Sequence, residues 1–99
     1  MQHAHAVVCD SVDELEAFVT LVTLGTPKRE VFPLLSCRGA HVAYSAFEEV
    51  KAFTVGEHDL TIVKLSVIAM LTPMGVLPVE TTVYMAFQTK VLHPSRIGA

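Results

Sequence analysis

Two cysteines and five histidines are the side chains of this chain with the widest chemical reach. Both cysteines and three of the histidines fall within the first 41 residues. His3, His5 and Cys9 stand two and four residues apart, which puts all three on one face if the segment is a strand. Cys37 and His41 follow as a second group, and thiolate and imidazole are the ligands zinc prefers. Structural zinc sites, however, are assembled from two close ligand pairs such as Cys-x2-Cys. The nearest approach here is Cys37-x3-His41, so no metal site is expected.

The same residues can be read as a cysteine nucleophile with its base. That chemistry needs a thiol of depressed pKa within hydrogen-bond reach of an imidazole. Cys9 sits just before a helix start, but Asp10, Asp13, Glu14 and Glu16 surround that start and oppose a thiolate. Cys37, with Arg38 beside it and His41 nearby, is the better candidate, yet no nucleophile signature surrounds it. A secreted scaffold of this size would carry four or more cysteines, so two reduced thiols are expected.

The remaining polar groups offer less. Glu48 and Glu49 would point apart on a helix, and Glu57-x-Asp59 lies at a turn, so both pairs read as solvated surface. The five glycines are scattered singly and form no phosphate-cradling loop. His58 and His93 stand alone at strand ends. No catalytic residue and no cofactor are therefore expected; Cys37, His41, Tyr44 and His5 remain as candidate contacts for a small ligand.

The elements that would carry these residues begin with a helix over 12–24. Ser11-Val12-Asp13-Glu14 has the S-x-x-E form of a capping box, and the surrounding carboxylates suit the positive end of the helix dipole. Leu15, Phe18, Val19 and Val22 recur at helical spacing as a buried stripe, and Gly25 and Pro27 supply the stop. Residues 4–8 predict a strand leading into this helix. Residues 30–37 read as an edge strand, because Pro33 cannot donate a ladder hydrogen bond. Arg38-Gly39 turns the chain, and 41–44 form a short third strand.

Ser45-Ala46-Phe47-Glu48 repeats the capping pattern. With Phe47, Val50 and Phe53 and the helix formers of 48–52, it predicts a second helix ending before Gly56; a continuous strand is the competitor. In 61–71 the odd positions Val63, Leu65, Val67, Ala69 and Leu71 are apolar, opposite Lys64 and Ser66. In 81–92 the odd positions Val83, Met85, Phe87 and Val91 are apolar. Two long strands follow, joined by 72–80 as an antiparallel hairpin. His93-Pro94 ends the last strand. Alanine, histidine, serine and glutamate recur in one order near 4–18 and 40–53, but their spacings differ, so duplication is not inferred.

The expected fold is α+β: an antiparallel sheet of about four to five strands with two helices on one face. Its order resembles the ferredoxin-like β-α-β-β-α-β arrangement with one C-terminal strand added. One domain over 1–94 and a flexible tail over 95–99 complete the expectation.

Composition narrows function by exclusion. At 52% hydrophobic against 17% charged, the 99-residue chain is too apolar to be disordered. A formal charge of −3, with Lys28-Arg29 as the single adjacent basic pair, lacks the footprint of a nucleic-acid binder. The apolar run 67–79 is broken by Thr72, Pro73, Gly75 and Pro78 and is too short to span a bilayer, so no membrane insertion is expected. The N-terminus lacks the pattern of a signal peptide, and a cytoplasmic location is the expectation. So apolar a chain has more hydrophobic side chains than one small core needs. Met74, Val76, Leu77 and Val79 are the candidate interface, and a homo-oligomer, most simply a two-fold dimer, is expected. The functional expectation is a non-catalytic binding and assembly module that self-associates. The alternative is a small enzyme whose site at an oligomer interface uses Cys37 and His41.

Overall fold

In the computed structural model, which describes residues 2–88, strand β1 (Gln2–Val8) leads through Cys9 into helix α1 (Val12–Thr23). Ser11 caps the helix with extended backbone, and its Oγ accepts the Glu14 N–H at 3.2 Å. At the other end Gly25 adopts φ 109°, open to glycine and strained for other residues. The Gly25 N–H then reaches the Val22 carbonyl at 3.1 Å and the Thr26 N–H the Leu21 carbonyl at 2.9 Å, the two crossed bonds of a Schellman cap. Both ends lie where the local signals place them.

The Glu14 carboxylate has a tertiary role that the capping motif does not foresee. It accepts the Ser36 backbone N–H at 2.9 Å and the Ser36 hydroxyl at 2.8 Å, which ties the first turn of α1 to the chain entering the next strand. These two bonds, with a smaller contribution from the Ser11 hydroxyl, hold the carboxyl below the ordinary glutamate range against partial desolvation.

Residues 30–37, expected as an edge strand, instead form a short helix α2 (Lys28–Val31) and a 3-10 turn (Phe32–Leu34). Pro33 explains the change: a proline in the first turn of a helix lacks only an N–H that would be unpaired anyway. Val31 is fully buried, and the Phe32 ring stacks on Phe18 with centroids 5.2 Å apart. The apolar run that resembles a strand is therefore a cap over α1.

Strand β2 (Arg38–Val55) runs unbroken for 18 residues, so the second helix expected over 45–53 is not formed and the competing strand is. Its partner is β3 (His58–Thr72), which is followed by β4 (Gly75–Gln88). Sheet order is β1-β2-β3-β4, each neighbour antiparallel, with both helices inserted between β1 and β2. The fold is thus α+β with a four-stranded meander, and the ferredoxin-like order is corrected. The physical reason is that the middle of β2 pairs along its whole length with β3, which outweighs the modest helix propensity of 48–52. Residues 89–92 of the expected last strand, the His93-Pro94 stop and the tail 95–99 lie outside the described residues.

The sheet curls until its edges touch. Cys9 and Tyr84 exchange both backbone hydrogen bonds at 2.9 Å, joining the end of β1 to β4. Inside the curl, Val63, Leu65 and Val67 of β3 pack with Val8, Val42 and Val83, so the expected odd-position alternation faces the inner core as far as Val67; beyond the irregularity there, Met70 rather than Ala69 or Leu71 packs on that core. On the other face, Ile62 packs with Leu15 and Phe18 of α1 and with Val31. Lys51 of β2 meets Glu16 of α1 at 2.6 Å on that side. Among the described residues, no helix is long and apolar enough to cross a membrane.

Cys9 and Cys37 form a disulfide, which corrects the expectation of two reduced thiols. Both are buried, because β1 and β2 pair antiparallel and bring the two strand ends together at Val8 and Arg38. The bridge closes a loop of sequence separation 28 that contains every helix described. In the chain-entropy model such a loop contributes about 3 to 4 kcal/mol. Urea unfolding of a Cys9→Ala/Cys37→Ala variant should show a loss of this order with the fold retained; an unchanged midpoint would mean the bridge does not constrain the unfolded chain. Glu14 adds a pH dependence of definite sign. Its folded pKa is depressed, so its contribution is present above the ordinary value of 4.5 and is lost as pH falls through the lower folded value. Glu14→Gln should lower stability at neutral pH and flatten the acid limb of a stability profile below pH 4.5, read by urea titration at each pH.

Candidate functional site

Where the closure between β1 and β4 ends, the inside of the curl is open. The N-terminal half of β1 and the C-terminal half of β4 diverge from Cys9 and Tyr84, leaving a cleft of about 430 Å³. This is within the range of small-molecule sites, roughly 300 to 1,000 Å³. Val63 and Leu65 of β3 form its floor, Met85 and Phe87 of β4 one wall, and Ala4 of β1 with Tyr44 and Phe47 of β2 the other. Gln2 and His3 stand at the rim.

A bulge in β2 is what puts two aromatic rings on the cleft side. Residues directly opposite in an antiparallel pair share a face. Tyr44 faces Val67 and Phe47 faces Leu65, so three steps on β2 match two on β3, and Ser45 falls in the irregular stretch. Without it, Tyr44 and Phe47, three apart, would project to opposite faces. With it they meet edge to face at 6.3 Å. A second irregularity between Glu49 and Lys51 restores the opposite sense, so that Phe53 turns to the helix side of the sheet.

The polar chemistry of the cleft is sparse. The Tyr44 hydroxyl donates to Gln2 Oε1 at 2.8 Å, leaving the phenol oxygen able to accept and the amide nitrogen able to donate. Phe47 and Phe87 are 56% and 41% exposed, far more than core aromatics, and frame the mouth. The arrangement suits a molecule with an apolar body and one hydrogen-bonding end.

The residues singled out from the sequence are dispersed over the structure. Tyr44 lines the cleft. His5 and His41 face each other across β1 and β2, their rings stacked at 5.2 Å on exposed surface, and His3 lies edge-on to His41 at 5.8 Å. Cys37 is not with them: its sulfur is buried in the bridge to Cys9 and offers no thiol to His41. Among the described residues, no three His, Cys, Asp or Glu side chains stand arranged around a metal-sized point. Of the candidate interface, Met74, Val76 and Leu77 are exposed, whereas Val79 is partly buried against the inner core.

Sequence reasoning missed Gln2, Phe47 and Met85 as cleft residues. Phe47 was legible only as part of a helical stripe, because a bulge hides the strand period from any pattern count. Comparison with known proteins gives no match to a family model, a curated protein or a solved structure.

The cleft makes a direct prediction. A dye such as anilinonaphthalene sulfonate should bind with enhanced fluorescence, and a Phe47→Ser/Phe87→Ser variant, altered only at exposed rings, should lose most of that signal. Equal fluorescence from the two proteins would show that the dye sits elsewhere.

Proposed function

We propose that this protein is a small non-catalytic binding and assembly module that self-associates through its β3–β4 hairpin. The observation that carries this reading is the exposure of that hairpin on both faces. Residues 72–78 are all exposed, with Met74 at 97%, Val76 at 66% and Leu77 at 54%. Adjacent strand residues point to opposite faces, so Val76 and Leu77 present apolar surface on both sides of the arm. The molecule is elongated, with extents of 47 × 32 × 23 Å, and the arm stands clear of both cores. An arm of two strands with no layer packed on it is marginal in water. A second copy would cover it most simply by a two-fold contact in which the same patch meets itself.

The edge of β4 speaks for side-chain contact rather than strand pairing between copies. Pro78 sits in this edge strand opposite Ala69, and a register irregularity follows between Val67 and Ala69 on β3. Proline and bulges are the usual means by which a free edge is blunted against pairing.

A small ligand fits the same module, but in the cleft. The space between sheet and helices is filled by Leu15, Phe18, Val31 and Ile62. As to compartment, the N-terminal pattern, with no signal-peptide or membrane-span signature, gives a cytoplasmic expectation; the Cys9–Cys37 bridge supports an oxidising compartment instead, because cytosolic thiols are kept reduced.

Leu77→Asp places a charge in the proposed contact and removes nothing from either core. Sedimentation at tens of micromolar should show a dimer for the unmodified chain and a folded monomer for the variant. A monomeric unmodified chain would refute self-association through the arm.

A further inference from the structure

We propose that His3, His5 and His41 bind one divalent transition-metal ion, of which zinc is the probe, on the exposed face of the β1–β2 ladder. The backbone already sets the spacing. His5 is directly opposite His41, and His3 is two residues further along β1, so all three side chains leave the same face of a continuous ladder. On the opposite face of the same strand, Val42 is 2% exposed and packed in the inner core, which anchors the ladder.

The separations of His41 from the other two rings are close to those of metal-bound imidazoles. With zinc–nitrogen bonds near 2 Å and a tetrahedral angle, two ligating rings have centres about 5 Å apart. His41 lies 5.2 Å from His5 and 5.8 Å from His3. What differs from a bound site is orientation: His5 and His41 are stacked at 18°, with their nitrogens side by side rather than convergent, and His3 is inclined at 65°. As they stand the three rings do not surround one point, and binding draws the exposed rings together by rotation about their side-chain torsions.

There is room for them to do so. The residues two before and two after His41 on β2 are Gly39 and Ala43, the smallest available on that face. Even a Cβ built on Gly39 would meet nothing within 4 Å. The face is open to solvent, so water completes a three-imidazole donor set, a combination suited to zinc, copper and nickel and poorly suited to calcium or magnesium. The site owes nothing to Cys9 and Cys37, whose bridge removes them as ligands.

The test is titration of the purified protein with Zn2+ by calorimetry, with the histidine ring protons followed by NMR. One ion per chain is expected, with the signals of His3, His5 and His41 shifting together and that of His58, which contacts Gln88 at the far turn, unmoved. His41→Gln, a replacement on exposed surface, should weaken binding by more than about tenfold, since loss of even a supporting hydrogen bond to a metal ligand costs that much. His58→Gln should bind as the unmodified chain does. Leu77→Asp should also retain one ion per chain, which separates this site from the arm contact. The proposal is overturned by absence of binding, by equal binding in the His41→Gln protein, or by half an ion per chain with metal-dependent dimers, which would place the ion between copies.

Discussion

Cys9 stands where three parts of the chain meet. Its backbone exchanges two hydrogen bonds with Tyr84 of β4, and its side chain is bonded to Cys37 at the entrance to β2. It also follows β1 directly and precedes the cap of α1. A four-stranded meander has two free edges, and free edges are open to unwanted pairing. Here the first and last strands are drawn together at one point, so the sheet curls instead of remaining open. The curl in turn divides the apolar side chains of β3 between an inner core and a layer under α1. Ile62 and Leu65 point to opposite faces, and both are enclosed, the first by the helix layer and the second by the curl.

The closure is local, and the rest of the surface follows from that. On one side of the junction, β1 and β4 part and leave the cleft over Val63 and Leu65. At another extremity the β3–β4 hairpin extends past the enclosed volume, which is why Val76 and Leu77 have no layer to pack against while Val79, nearer the core, does. On the outer face of β1 and β2, helix α1 covers the part near Cys9 and leaves the histidine-bearing part bare. Cleft, arm and histidine face are three consequences of one short chain enclosing only the middle of long strands.

Bulges decide which side chains reach the cleft. A strict period of two along β2 would separate Tyr44 from Phe47, and the extra residue at Ser45 brings them to one side. The second irregularity, near Val50, lets Lys51 and Phe53 face α1, where Lys51 pairs with Glu16. One strand thereby serves the inner face along one stretch and the helix layer along the next, which no unbroken alternation could do.

What the sequence determined by itself is what short-range physics controls. Helix α1 was legible at both ends because its cap at Ser11 and its stop at Gly25 are satisfied by residues within five positions. The alternation of Val63, Leu65 and Val67 was legible because side chains on one face of a strand recur every two residues. The tertiary structure decided the rest. Residues 45–53 carry a capping pattern and helix formers, yet pairing with β3, invisible to any local window, makes them strand. Residues 30–37 look like strand, yet burial of Val31 and stacking of Phe32 on Phe18 make them helix and turn. The union of Cys9 with Cys37, and the cleft itself, depend on which strand ends meet, and that is set by long-range register rather than by the identity of any neighbour in the chain.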